Sequence, residues 1–170
     1  MTVGAPEVTR SNDGRTIHIV AVSNRQSIRE VRDTLRDFLS SWVEKELITP
    51  FVVATEELLL NEHEHGHLKI SSAEKEAALS EGTYERLLTE RESSAPAKEL
   101  SCIVVVTHSE IRVTVTGGVP FTANYSVPRE HDLAEPRFSG RGLALVRAFF
   151  DRVEFDPVAK EVRAVKRLWC

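Results

Sequence analysis

Apolar and polar positions follow several different rhythms along the chain, and each change of rhythm marks a new element. Residues Met1 to Gly14 are polar with glycine and proline and read as a flexible N-terminal tail; Thr16 to Val22 then turns β-branched and apolar, which predicts a first strand. Behind Ser27-Ile28-Arg29-Glu30, which has the form of a capping box, Ile28, Val31, Leu35, Phe38, Leu39 and Trp42 recur at helical spacing. Thr49 as N-cap and Pro50 at the first helical position open a second helix, Phe51 to His65, which Gly66 is expected to stop.

The segment Ser71 to Glu92 is helical in propensity, opens with another capping box (Ser71 to Glu74) and is interrupted at Gly82, so it predicts an insert of two short helices. A linker rich in serine, alanine and proline follows. Leu100 to Thr107 and Ile111 to Val115 then form a hairpin about the turn His108-Ser109-Glu110. Gly117-Gly118 ends the hairpin. The stretch from there to Phe138, with Pro120, Pro128 and Pro136 and few periodic apolar residues, reads as a long functional loop, with Thr122 to Phe138 as a lid. Ser139-Gly140-Arg141-Gly142 opens a third main helix, Leu143 to Asp151, and Val153 to Phe155 with Val162 to Leu168 make a closing strand pair. This order separates helices from a largely antiparallel sheet. The fold class is α+β, a two-layer sandwich in which residues 15–170 form one domain, with its helical insert at about 71–92.

Length and composition agree with one globular domain. Of the 170 residues, 41% are apolar and 28% charged, enough to bury a core without disulfides or metal staples. The net charge of -4 supplies no basic field for phosphate backbones, which disfavours direct nucleic-acid binding. Cys102 and Cys170 lie far apart without metal or redox spacing, no segment has the apolar length of a membrane span, and no signal peptide opens the chain. A cytoplasmic location is the expectation.

The chemistry concentrates on the second helix. Glu57, Asn61 and His65 fall at i, i+4 and i+8 and form a polar stripe in the middle of an apolar arc. Inward carboxylate and carboxamide groups need a metal ion, a ligand or a polar network as partner. Gly117-Gly118 after a strand and Gly140-Arg141-Gly142 at a helix start let backbone approach a ligand and offer free N–H groups to phosphate. His63 and His67 are four apart, as in a helical metal pair. Gly66 is expected to end the helix between them, and their order is not that of zinc proteases.

Together these segments resemble the GHKL (histidine kinase-like) ATPase superfamily. TEELLLNEHEHG is similar to its N-box, GGVPF to its first glycine box and SGRGLALVRAFFD to its second, so that the resemblance covers about Ile17 to Leu168. Size, the Pro-Phe after the first glycine box and the G-R-G-L-x-L-V pattern look most like the anti-sigma factor serine/threonine-protein kinases. The insert is also similar to ATPase domains that accompany partner-switching phosphatases. The resemblance implies a Bergerat-type ATP-binding fold, a mixed, mostly antiparallel sheet with helices on one face. It further implies ATP and Mg²⁺ as cofactors, with Glu57 as general base and Asn61 as the Mg²⁺ ligand. His65, Thr116, Gly118, Gly140, Arg141, Gly142 and Leu143 would bind the nucleotide. The implied partners are a sigma factor and a STAS-domain anti-anti-sigma factor, with a homodimer, no direct nucleic acid and no membrane. In the family an aspartate opens the first glycine box and accepts a hydrogen bond from the adenine amino group. Counting back from Gly118 puts Thr116 there. That departure also admits a second reading, a non-catalytic module with a degenerate pocket that sequesters a partner protein.

Overall fold

Side-chain alternation on the strands fixes which face of the sheet receives the helices. In the computed structural model, which describes residues 4–117 and 141–169, the chain runs β1 (Glu7–Arg10), β2 (Thr16–Val22), α1 (Arg25–Leu39), α2 (Lys45–Asn61), a π-helical segment (Glu62–His67), α3 (Ser72–Glu81), α4 (Tyr84–Ser94), β3 (Glu99–Val106), β4 (Glu110–Thr116), α5 (Arg141–Phe149), β5 (Arg152–Asp156) and β6 (Glu161–Arg167). The described strands form one sheet in the order β1-β2-β3-β4-β6-β5, each neighbour antiparallel to the next. The register sets buried residues opposite buried residues: Ile17 faces Val104, Ile19 faces Cys102, Val113 faces Val104 and Ala164, and Val115 faces Cys102 and Val162. Helices α1, α2 and α5 cover this face. Ile28, Val31, Leu35, Phe38 and Leu39 of α1 and Phe51, Val52, Ala54, Leu58 and Leu59 of α2 share one core with the strand residues. This is the two-layer α+β arrangement expected from the element order.

Residues 7–10 correct the reading of a flexible tail. They pair with Val20 to Ile17 as an edge strand. All four are exposed, so no apolar alternation marked them. Their place is set by backbone pairing and by the turn at Gly14, whose φ of 72° is the left-handed conformation glycine tolerates. Two helix starts also move. Asn24, not Ser27, caps α1, its side chain accepting from the Ser27 N–H at 2.8 Å. Helix α2 begins at Lys45, so Pro50 lies inside it and forfeits the bond to the Glu46 carbonyl. Ile48, buried under the same core, accounts for the extra turn. By contrast the insert follows its signals closely, with a complete Ser71–Glu74 capping box and Gly82 ending α3 at φ 69°.

A buried polar relay anchors the insert. His63, fully buried, lies 2.9 Å from Ser23 Oγ through Nδ1 and 2.8 Å from Glu92 Oε1 through Nε2. Glu92 on α4 also accepts from Arg25 at the start of α1 (Nε 3.2 Å, Nη2 3.1 Å). Burial pushes the His63 imidazole below its ordinary value, although Glu92 pulls the other way. A neutral ring with its hydrogen on Nε2 satisfies both neighbours, donating to Glu92 and accepting from the Ser23 hydroxyl. One side chain thus joins the end of β2, the π segment and the insert. His63→Ala is expected to lower unfolding free energy by about 2–4 kcal/mol, because it strands a buried hydroxyl and a carboxylate. Urea denaturation checks this; a loss no larger than that of a surface substitution would count against the relay.

Candidate functional site

Helix α2 carries its polar row toward the start of α5. The two helices are locked by aromatic edges: Phe51 meets Phe149 and Phe150 with ring centroids 6.2 and 5.5 Å apart, while Val146 and Phe150 are buried in the common core. This packing puts the Glu57 carboxylate directly against Gly142, in the first turn of α5. A Cβ at Gly142 would overlap that carboxylate. Asn61, one turn further along α2, is half-buried, and its Nδ2 has no protein partner. The Glu57 carboxylate thus meets the first turn of α5, whose leading N–H groups have no acceptor within the helix, and Asn61 lies one turn away on α2. Burial raises the Glu57 carboxyl above its ordinary value; Lys75 opposes this, and Glu64 and Glu56 reinforce it.

Beyond Asn61 the helix widens. From Glu62 to His67 the backbone is π-helical, with Leu68 N–H bonded to the His63 carbonyl at 2.9 Å, and the chain leaves through Lys69 at φ 57°. The stop expected at Gly66 is thus displaced, and so is His65. Its Nδ1 pairs with the Ile70 carbonyl at 2.5 Å, so His65 does not continue the row of Glu57 and Asn61 as the α-helical count predicts. A π turn takes more residues per turn than an α turn, which moves every later side chain around the axis.

Glu62 takes the place that the count had assigned to no functional residue. It is 1% exposed, and neither carboxylate oxygen has a hydrogen-bond partner. Its carboxylate lies against the Cα atoms of Gly66 and Gly117, and a Cβ at either position would overlap it. Gly117 follows β4, whose inward residues are Ile111, Val113 and Val115. Parity places Gly117 on the inner side and turns Thr116 outward, where its Oγ1 lies 3.5 Å from Glu161 on β6. This corrects Thr116 as a nucleotide contact: its side chain is on the face opposite the helices. Glu62 was not legible as a site residue, since five positions from Glu57 is about 140° around an α-helix. The only sequence signal was the lack of a carboxylate beside Gly117-Gly118.

The insert also reaches the site. Lys75 of α3 is ion-paired with Glu64 of the π segment, sits 5.4 Å from the Tyr84 ring centroid, and is the cation that acts on Glu57. Leu143 is half-buried in the first turn of α5, and Arg141 begins that helix. Gly118, Gly140 and the lid Thr122 to Phe138 lie outside the described residues, as does Cys170. His63 is held by Ser23 and Glu92, and His67 Nε2 by the Pro96 carbonyl at 2.7 Å. Among the described residues no three His, Cys, Asp or Glu side chains come together around a possible metal ion. A Mg²⁺ ion carried by phosphates needs only one or two protein oxygens, and the half-buried Asn61 carboxamide, one turn from Glu57, fits that demand.

The unpartnered Glu62 carboxyl has a thermodynamic signature. Burial raises it from 4.5 to about 7, with Lys69 and Lys98 only partly offsetting the shift. The folded state therefore holds this proton more tightly than the unfolded chain, and stability falls as pH rises from about 4.5 to about 7, then levels. The difference of 7 − 4.5 units corresponds to about 3 kcal/mol. Glu62→Gln, neutral at every pH, is expected to be more stable than the parent by up to about 3 kcal/mol at pH 8 and to lose that advantage near pH 4.5. Thermal unfolding of the ligand-free protein against pH reads the difference, and parallel curves would refute it.

Among the described residues no helix is long and apolar enough to cross a membrane. No curated protein matches the chain. The family described as histidine kinase-like ATPase domain matches residues 21–166, from the end of β2 to β6, and so spans both glycine turns and the polar row of α2. With its antiparallel sheet, its helices on one face and its paired glutamate–glycine contacts, the chain belongs to the histidine kinase-like ATPase domain family, a GHKL domain whose fold supports ATP binding.

Proposed function

We propose that the protein is an ATP-dependent serine kinase that acts as an anti-sigma factor, phosphorylating a STAS-domain anti-anti-sigma protein. The observation that carries this reading is the Glu57 carboxylate seated on Gly142 at the start of α5, one helical turn from Asn61. A candidate base meets the backbone donors of α5, with a candidate oxygen ligand one helical turn away. The reaction needs these groups in that combination. Glu57 takes the proton of the substrate serine hydroxyl, the oxygen forms a bond to the γ-phosphorus, and the bond to the β,γ-bridging oxygen breaks to release ADP. Burial, which raises the Glu57 carboxyl, makes it a stronger base than an exposed glutamate. Asn61 would hold Mg²⁺ through its carboxamide oxygen; when bound, the ion neutralises charge on the triphosphate. The first turn of α5 would accept phosphate oxygens through its N–H groups. A homodimer and a sigma factor as the bound target complete the proposal, and both rest on the motif resemblance.

One observation favours the alternative of a sequestering module without catalysis. Thr116 faces the outer side of the sheet, so the position where the family has an aspartate turns no side-chain acceptor toward the helices. The two readings separate in one assay, transfer of phosphate from Mg·ATP to a purified STAS-domain protein, read by mass spectrometry of the acceptor serine. Glu57→Gln is expected to cut transfer by about 100-fold or more while nucleotide affinity changes little. Gly142→Ala is expected to slow transfer as well, since its methyl group takes the space of the Glu57 carboxylate. Wild type and Glu57→Gln that are equally inert, yet both bind the STAS protein or a sigma factor, would establish the module instead.

A further inference from the structure

We propose that the outer groove between α3 and α4 is a docking surface for an amphipathic basic helix of a partner protein. The surface lies outside the nucleotide site and is compatible with a kinase and with a sequestering module alike. The main core is built from the sheet with α1, α2 and α5, whereas the insert packs on a small core of its own, in which Leu88, with Tyr84 and Leu87 beside it, meets Leu68 and Ile70. Each insert helix divides its faces between two tasks. Toward the body of the molecule, Lys75 pairs with Glu64, Glu85 with Arg25, and Glu92 with Arg25 and His63. On a separate stripe, about 100° around α3 from Lys75, lie Glu74, Ala77, Ala78 and Glu81, at the spacing of one helix face. Arg86, Leu87 and Glu90 form the corresponding stripe of α4, and the two stripes line the groove.

The groove holds about 250 Å³. Pockets for small molecules run to about 300–1,000 Å³, so this volume suits one or two side chains of a docked element of secondary structure. Its floor is apolar and mostly small: Ala77 is exposed, Ala78 buried and Leu87 half-buried, which lets a third helix approach two packed ones closely. Its rim is charged, with the carboxylates of Glu74, Glu81 and Glu90 against the guanidinium of Arg86. Glu74 is answered by Arg91 and Glu90 by Arg86 at 3.8 Å, while Glu81 has no ion pair among the described residues. Helices α3 and α4 together carry Glu74, Glu76, Glu81, Glu85, Glu90 and Glu92 against Lys75, Arg86 and Arg91, so the field over the groove is negative. An apolar floor inside an acidic rim matches a helix whose apolar anchors are flanked by lysine or arginine. The same field disfavours nucleic acid and anionic lipid. Because the anchoring contacts occupy another face, such a helix seats without displacing Lys75, Glu85 or Glu92.

The test titrates the isotope-labelled full chain, without nucleotide, with a helical alanine-based peptide that carries leucines at i and i+4 and arginines beside them, and follows the amide resonances. Shifts are expected at Ala77, Glu81, Leu87 and Glu90. Glu81→Lys/Glu90→Lys is expected to weaken binding by about tenfold or more, whereas the same change of charge on exposed residues outside the insert, Glu7→Lys/Glu154→Lys, should leave the affinity within about threefold. A peptide with serine in place of leucine should bind wild type at least about tenfold more weakly, and one with glutamate in place of arginine should not shift these resonances. Absence of binding by the leucine–arginine peptide, shifts confined to other surfaces, or an unchanged affinity in the folded Glu81→Lys/Glu90→Lys protein overturns the proposal. A serine peptide that binds as tightly overturns it too, since only long-range attraction between charges then remains. Should the double variant not fold, the peptide series on wild type decides by the same outcomes. None of these measurements involves nucleotide, so failure here leaves the kinase reading in place.

Discussion

A carboxylate can lie flush against a backbone only where the facing residue has no Cβ, and the site is organised by two such contacts. Glu57 meets Gly142 and Glu62 meets Gly117. The first joins α2 to the start of α5, and the second joins the π segment to the end of β4. The first pins a polar group of the helical layer to the opening turn of α5, and the second pins one to the residue that follows β4. The aromatic packing of Phe51 with Phe149 and Phe150 holds the distance at which these contacts are made. Without close approach there, the carboxylates would have to turn to solvent or strip the core of its packing.

Glu62 itself still follows the α-helical path, its N–H bonded to the Leu58 carbonyl, and the π segment that starts there brings Gly66 against its carboxylate. An α-helix continued through His65 would have kept Glu57, Asn61 and His65 in one row. Widening the helix takes His65 out of that row, and His63 meets Ser23 and Glu92. The insert then serves a purpose beyond filling space. Glu92 on α4 secures His63, and Lys75 on α3 secures Glu64, so the insert braces the widened turn from outside. Lys75 also opposes the upward shift of the Glu57 carboxyl, which links the insert electrostatically to that end of α2.

Glu57 and Glu62 lie on one helical rod yet occupy different electrostatic settings. Glu57 is half-buried beside a helix N-terminus and within reach of Lys75; Glu62 is enclosed, with two lysines nearby but none paired to it. Burial raises both, and the enclosed one further.

Much of the fold was legible because it depends on local periodicity. Ile17, Ile19 and Ala21 alternate on their strand, Ile28 to Leu39 repeat at helical spacing, and the Ser71–Glu74 box and Gly82 bound the insert; each is a short-range signal that the core then rewards. Glu57 and Asn61 were legible for the same reason, as polar residues one turn apart on an otherwise apolar arc. The edge strand Glu7–Arg10, the π segment and the outward turn of Thr116 were not, since they depend on backbone pairing, helix widening and strand parity at a boundary. Sequence alone determined the layers and the order of the elements, and it marked Glu57 and Asn61 as polar residues within an apolar arc. Only the tertiary structure decided that Glu62 lies against Gly117 while Thr116 faces away, because two residues far apart in the chain meet there through packing that no periodicity encodes.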